Sequence, residues 1–530
     1  MRIGRPPRWL DLTGRTGAPA FPSKAAPARA RVLALAPLAM PDSAVPTPAL
    51  PAPADAVRGA VLELRLEKFA DRGKSLARLG GADGQGGFVV FVEGGVPGDL
   101  VRAQVRKRKG SYAEARIVEV VEPSALRAVP RCPYFGPCGG CKWQHVAYGA
   151  QLEMKRQAVE EALTHTGGFD LDKLGVAVRP TLGAEEPWYY RNKMEFSFSA
   201  DRWLTEAEIG SGGAFDRDFA LGLHIPGRFD KVLDLDTCFL QSAWSARLVN
   251  GVRAFCKAEG WTPWDTRRQR GYLRHLVVRT PEHTDERMVV LVTSHADAER
   301  MDAFAAFLRR DFPEVTTLVN AINGGVAQTA FGGELITVFG PGIVHDRIGG
   351  LTFEIAPNAF FQTNTLQAER LYEVAAAFAD LRPDDLLYDL YCGAGTISLF
   401  VAPRVRYVVG VELIEAAVAN ARVNMVESGV DNCTFVAGDM LKLFTPAFVE
   451  EFGRPDVVIV DPPRAGMHPK VVEEVGRLRP ERLVYVSCNP QTQARDLALL
   501  GDRYRIEAIQ PVDLFPHTHH IENVVALRAA

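Results

Sequence analysis

The chain of 530 residues lacks any apolar run approaching the roughly 20 residues that cross a bilayer as a helix. Val32-Leu33-Ala34-Leu35-Ala36-Pro37-Leu38 is too short and contains proline. A membrane role is therefore not expected. The chain also lacks an excess of either charge, with 61 Lys and Arg against 64 Asp and Glu and a formal net charge of -3. Any surface for a polyanion must then be local. Cysteine is sparse: there are eight, and three of them crowd between Cys132 and Cys141. This excludes a disulfide scaffold and points to a reducing, cytoplasmic setting with metal or catalytic uses. The length excludes a single core and predicts several domains.

Four regions follow from composition and periodicity. Residues 1–56 are rich in Pro, Ala and Arg, poor in acids and aperiodic, which predicts a disordered tail. A targeting peptide and a start at Met40 are the alternatives. Residues 57–122 alternate apolar and polar positions in four short runs separated by Gly and Pro, which predicts a small antiparallel β-barrel. Its Arg106-Lys107-Arg108-Lys109-Gly110-Ser111-Tyr112 segment suits a phosphate backbone with one stacked base. Residues 123–355 mix a helical stretch with strand-like runs and predict an α+β central domain. From 356 to 530 buried apolar runs alternate with helical segments, which predicts a Rossmann-like, doubly wound α/β domain.

Ligands of such sheets bind beyond the carboxyl ends of the strands. The first end is Asp389-Leu390-Tyr391-Cys392-Gly393-Ala394-Gly395-Thr396, whose glycines admit a ligand close to the backbone. The second strand ends in Glu412, an acid placed to accept ribose hydroxyls. The third is followed by Gly438-Asp439, suited to an adenine amino group. A third glycine is missing, because Ser398 stands in its place. A pyrophosphate is therefore not strongly implied.

The fourth strand ends in Asp461-Pro462-Pro463-Arg464, and a later run ends in Ser487-Cys488-Asn489-Pro490. His517-Thr518-His519-His520-Ile521-Glu522 follows. A thiol flanked by two carboxylates, each at a strand end, suggests covalent attack followed by proton abstraction. His517 and His519 are rival bases to Glu522.

These blocks together resemble the RNA 5-methyluridine methyltransferases, over residues 57–530. The barrel is similar to a TRAM domain, an OB-like RNA-binding β-barrel, including the turn at Gly98-Asp99. The resemblance implies that Cys488 adds to C6 of uracil, that Glu522 removes the C5 proton and that Asp461 steers the nucleotide or cofactor. It also implies S-adenosylmethionine as cofactor, contacted by Gln362, Tyr391, Gly393, Gly395, Thr396, Glu412, Asp439 and Asp461. Thr396 and Asp439 stand where some members have Asn.

Cys132, Cys138 and Cys141 form a C-x5-C-x2-C run that zinc or an iron–sulfur cluster could use. The large-subunit ribosomal members imply a [4Fe–4S] cluster completed by a distant cysteine, Cys238 in first place and Cys256 as alternative. The resemblance implies ribosomal rather than transfer RNA as partner, because the family's bacterial transfer-RNA enzymes usually lack both the barrel and the cysteine run; a monomer is expected. An amino-methyltransferase would carry Tyr in place of Arg464 and need no thiol. A non-catalytic iron–sulfur RNA-binding protein would not need Glu412, Cys488 and Glu522 together.

Overall fold

The structure, a computed structural model, describes residues 52–70, 73–80 and 87–530. The expected tail lies outside the described residues up to Pro51. Its last residues do not behave as a tail: Pro53–Asp55 form a 3-10 turn and Ala56 is fully buried in the barrel core. Arg108 holds this turn, its guanidinium donating to the carbonyls of Pro53 (3.0 Å) and Ala56 (3.3 Å).

The barrel sheet has six strands among the described residues, Val61–Arg65, Lys68–Phe69, Ser75–Leu79, Phe88–Glu93, Leu100–Arg108 and Tyr112–Glu122. Alternation drives it: Leu62, Leu64, Val101, Ala103 and Val105 point inward while their neighbours face solvent. One pairing departs from the antiparallel expectation, since Phe88–Glu93 runs parallel to Tyr112–Glu122. The basic segment is also less free than its sequence implies. Arg108 lies over the Phe88 ring, and Tyr112 packs edge-on against Phe91 at 5.6 Å.

The central region is built on an eight-stranded mixed sheet. Helices Ala243–Ala258 and Ala298–Asp311 cover one face through Trp244, Leu248, Val252, Phe304 and Leu308. Helix Tyr148–Glu161 lies apart from this sheet and packs on the last domain.

The last domain holds a seven-stranded sheet, numbered along the chain as β1 (Leu386–Leu390), β2 (Tyr407–Glu412), β3 (Cys433–Ala437), β4 (Val457–Val460), β5 (Arg482–Ser487), β6 (Tyr504–Val512) and β7 (Glu522–Ala529). Their spatial order is β3-β2-β1-β4-β5-β7-β6. Strands β1 to β5 are mutually parallel where they pair, and β7 is antiparallel to both β5 and β6. β1, β4 and β5 are buried at every position, as expected of parallel strands covered on both faces. The order reverses between β1 and β4, which opens a crevice at their carboxyl ends.

Below that crevice Arg482 and Asp385 form a buried ion pair, reinforced by the carbonyls of Ala379 and Asp380. Arg482→Met strands the Asp385 carboxylate and should cost about 3–5 kcal/mol. Denaturant unfolding of the variant checks this; an unchanged midpoint would contradict it.

Candidate active site and cofactor crevice

The crevice begins where β1 ends. Tyr391 takes a left-handed backbone conformation (φ 65°), and its N–H and that of Cys392 donate to the Val411 carbonyl at 2.9 and 3.2 Å. Gly393 and Gly395 follow with φ of 55° and 79°. A Cβ on Gly395 would meet the Phe435 ring at 2.8 Å, so both conformation and packing require glycine there. A Cβ on Gly393 would meet nothing within 4 Å, so open space lies beside that backbone. Glu412 is fixed at the rim, accepting from Gly393 N–H (3.1 Å) and Ile414 N–H (2.9 Å). Its remaining lone pairs are free to accept ribose hydroxyls. Asp439 caps the short helix Met440–Leu443, accepting from Leu441 N–H at 3.0 Å. Thr396 opens helix Thr396–Val401 and shares a hydrogen bond with the Tyr372 hydroxyl (2.9 Å). Gln362 is held by its carbonyl, which accepts from Asn192 at 2.8 Å.

Asp389 belongs to this crevice, although its sequence position suggested only a strand end. It is fully buried; one carboxyl oxygen accepts from Ser398 and the other has no partner among the described residues. Burial raises its pKa to about 7. An orphaned buried acceptor beside an open glycine turn, with an acid at the end of β2, fits an adenosyl ligand carrying an amine.

The reactive groups stand on the adjacent strand ends. Asp461 follows β4, and its N–H donates to the Leu390 carbonyl (3.2 Å). Cys488 follows β5. Its turn is tied to the Asp461-Pro462-Pro463-Arg464 loop, because Asn489 and Thr492 both donate to the Arg464 carbonyl, at 2.9 and 3.2 Å. Glu522 arrives from the opposite direction as the first residue of β7. The register pairs Ser487 with Asn523, so the antiparallel strand begins where β5 ends.

These groups act on one another. Burial pushes the Cys488 thiol up to about 11, and the negative charges of Glu522 and Asp461 push the same way while Arg464 opposes. Burial raises Asp461 to about 7, with Asp389 adding to it. Glu522 is raised well above the carboxylate range by burial and then by Asp461; Arg464 and Lys155 oppose. The arrangement offers a soft nucleophile, two carboxyl groups and one exposed cation at a single crevice edge.

The rival base His517 is engaged elsewhere. Its ring stacks on Trp188 at 3.8 Å and meets Gln151 at 3.2 Å, and burial lowers its pKa to about 4. His519 packs against His520, with ring centroids 4.3 Å apart.

Cys132, Cys138, Cys141 and Cys238 line one cavity, together with Phe135 and Gln144. Burial and the neighbouring thiols push Cys138 up to about 11 and Cys141 up to about 12. Among the described residues no group of three or more His, Cys, Asp or Glu is drawn together to hold a metal ion. Cys256 lies in the core of helix Ala243–Ala258 and does not line this cavity.

Residues 344–530 match the tRNA (Uracil-5-)-methyltransferase family and residues 56–118 match the TRAM domain. An RNA methyltransferase of Bacteroides thetaiotaomicron is 42% identical over 461 residues, 86% of this chain and 99% of that protein. One from Porphyromonas gingivalis is 42% identical over 471 residues, covering 88% and 99%. The chain belongs to this family of RNA methyltransferases. A solved structure is similar over nearly the whole length. The tRNA (uracil-54, C5)-methyltransferase of Pyrococcus abyssi, in complex with S-adenosyl-L-homocysteine, has a TM-score of 0.67 and 26% identity, covering 88% of this chain and 100% of that one. As a member of the family, the chain is an S-adenosylmethionine-dependent RNA methyltransferase of the 5-methyluridine type. No helix among the described residues is long and apolar enough to cross a membrane.

A raised thiol pKa makes Cys488 slow to alkylate near neutral pH, with a rate that climbs until about pH 11. Glu522→Gln removes a negative charge and should lower that pKa. Mass spectrometry of the Cys488 peptide after iodoacetamide treatment at pH 8 should show up to about tenfold faster labelling in the variant. An equal or slower rate would contradict the coupling.

Proposed function

We propose that the enzyme methylates C5 of a uridine in structured RNA, with ribosomal RNA as substrate, through a covalent adduct between Cys488 and C6. The supporting observation is the meeting of Cys488, Asp461 and Glu522 at one crevice edge, created by the antiparallel β7.

Uracil C5 is a poor nucleophile, and addition of the Cys488 sulfur to C6 moves electron density onto it. S-adenosylmethionine, when bound by Gln362, Tyr391, Gly393, Gly395, Thr396, Glu412, Asp439 and Asp461, supplies an electrophilic methyl group to that carbon. Asp389 extends this set as the acceptor for the cofactor's amine. Glu522 then takes the C5 proton, and the electron pair left behind expels the Cys488 thiolate from C6. Glu522 must be ionised at that moment, and Arg464 and Lys155 favour this state. Arg464 also favours the thiolate of Cys488. Asp461 orients the nucleotide or cofactor beside the thiol.

The four cysteines around their shared cavity are assigned to a [4Fe–4S] cluster. A set made only of thiolates suits iron–sulfur chemistry, and no electron is needed for the methyl transfer above. The protein acts in the cytoplasm as a monomer. A transfer-RNA substrate is the second reading, favoured by the activity of the Pyrococcus abyssi protein. Mapping 5-methyluridine in ribosomal and transfer RNA from a strain lacking this gene separates the two.

Glu522→Gln should leave protein covalently attached to RNA on denaturing gels while turnover falls about 10²–10⁴-fold. Cys488→Ala should abolish adduct and methylation together; residual methylation there would overturn the mechanism. An anaerobically purified sample should be brown and contain iron, whereas a colourless protein with stoichiometric zinc would overturn the cluster.

A further inference from the structure

The loop that delivers Glu522 runs from Asp513 to Ile521, and its ends are closed by the register pair Val512–Glu522. Few of its contacts come from its own sheet. Lys155, on helix Tyr148–Glu161, donates to the Asp513 carboxylate at 2.6 Å and to the Phe515 carbonyl at 3.2 Å, with both Lys155 and Asp513 fully buried. Tyr148 donates to the other Asp513 oxygen (2.9 Å), and Gln151 accepts from the His517 N–H (3.0 Å). Just before this helix, the N–H groups of Lys142 and Trp143 both donate to the His517 carbonyl at 2.9 Å. His517 itself is held at a φ of 64°, a conformation that needs such support.

A buried Lys–Asp pair is weak support for stability, because desolvation of both charges offsets their attraction. Here the lysine has a second anionic neighbour. Burial lowers the proton affinity of Lys155, and the carboxylates of Asp513 and Glu522 both oppose that. Lys155 thus ties helix Tyr148–Glu161 to the start of the loop whose end is Glu522.

We propose that Lys155 is a positioning residue for proton abstraction, holding the Asp513–Ile521 loop so that Glu522 stands where it can take the C5 proton. This rests on the assignment of Glu522 as base. It makes a specific claim: loss of Lys155 should stall the reaction after methyl transfer and leave earlier steps intact.

The test compares the wild type, Glu522→Gln, Lys155→Met and the double variant Lys155→Met with Asp513→Asn. The probe is unmethylated ribosomal RNA from a strain lacking this gene. The double variant removes both buried charges together and so keeps the fold if the single variant does not. Expected for the double variant are a melting temperature near wild type, unchanged S-adenosylhomocysteine affinity, a turnover at least about tenfold lower and accumulation of the covalent RNA adduct, as for Glu522→Gln. Wild-type turnover without adduct in the double variant would show Lys155 to be merely Asp513's partner and overturn the inference. Absence of adduct in Glu522→Gln would instead overturn the assignment of the base, and the inference with it.

Discussion

One reversal of chain direction organises this enzyme. In a purely parallel sheet every strand offers its carboxyl end to the crevice, and the amino end of a strand lies about 15–20 Å away on the opposite edge. Because β7 runs antiparallel between β5 and β6, its first residue lies beside the last residue of β5. The same insertion makes Asp513–Ile521 a loop at the crevice mouth. Glu522 therefore shares an edge with Asp461 and Cys488, though the three are carried by three different strands.

Proximity of this kind has an electrostatic consequence. Burial raises the proton affinity of the thiol and of both carboxyls; Glu522 and Asp461 add to it at Cys488, Asp461 adds to it at Glu522, and Asp389 adds to it at Asp461. Each group therefore holds its proton to a higher pH than it would in water, and nearby cations counter the effect. Arg464 is exposed and its guanidinium lies against the His520 ring (3.3 Å), while Lys155 is buried behind the loop. One cation is open to solvent and the other is enclosed by hydrogen bonds to Asp513 and Phe515.

Much of the crevice was legible in the sequence because it is local. Continuous apolar runs gave β1 to β5, and a positive φ at Tyr391, Gly393 and Gly395 is what a glycine turn at a strand end predicts. Strands β6 and β7 were less visible, since Tyr504–Val512 has alternating burial at one end and a proline near the other. Lys155 and Asp513 are 358 positions apart, and nothing in a helical stretch marks one lysine as buried. Asp389 was in view as part of the glycine turn, but only the fold reveals its unpartnered oxygen. The histidines beside Glu522 illustrate the converse: adjacency in sequence suggested His517 as a base, yet its ring is committed to Trp188 and Gln151.

The N-terminal barrel is not tethered by a slack linker. Phe69 stacks on Trp143 at 4.8 Å, Lys68 pairs with Glu161 at 2.7 Å, and a Cβ on Gly73 would come within 3.6 Å of His519. Trp143 is the residue whose N–H also holds the Asp513–Ile521 loop through the His517 carbonyl. The barrel and the loop before Glu522 thus share Trp143 as a common support, so a change at that one position would be felt on both sides.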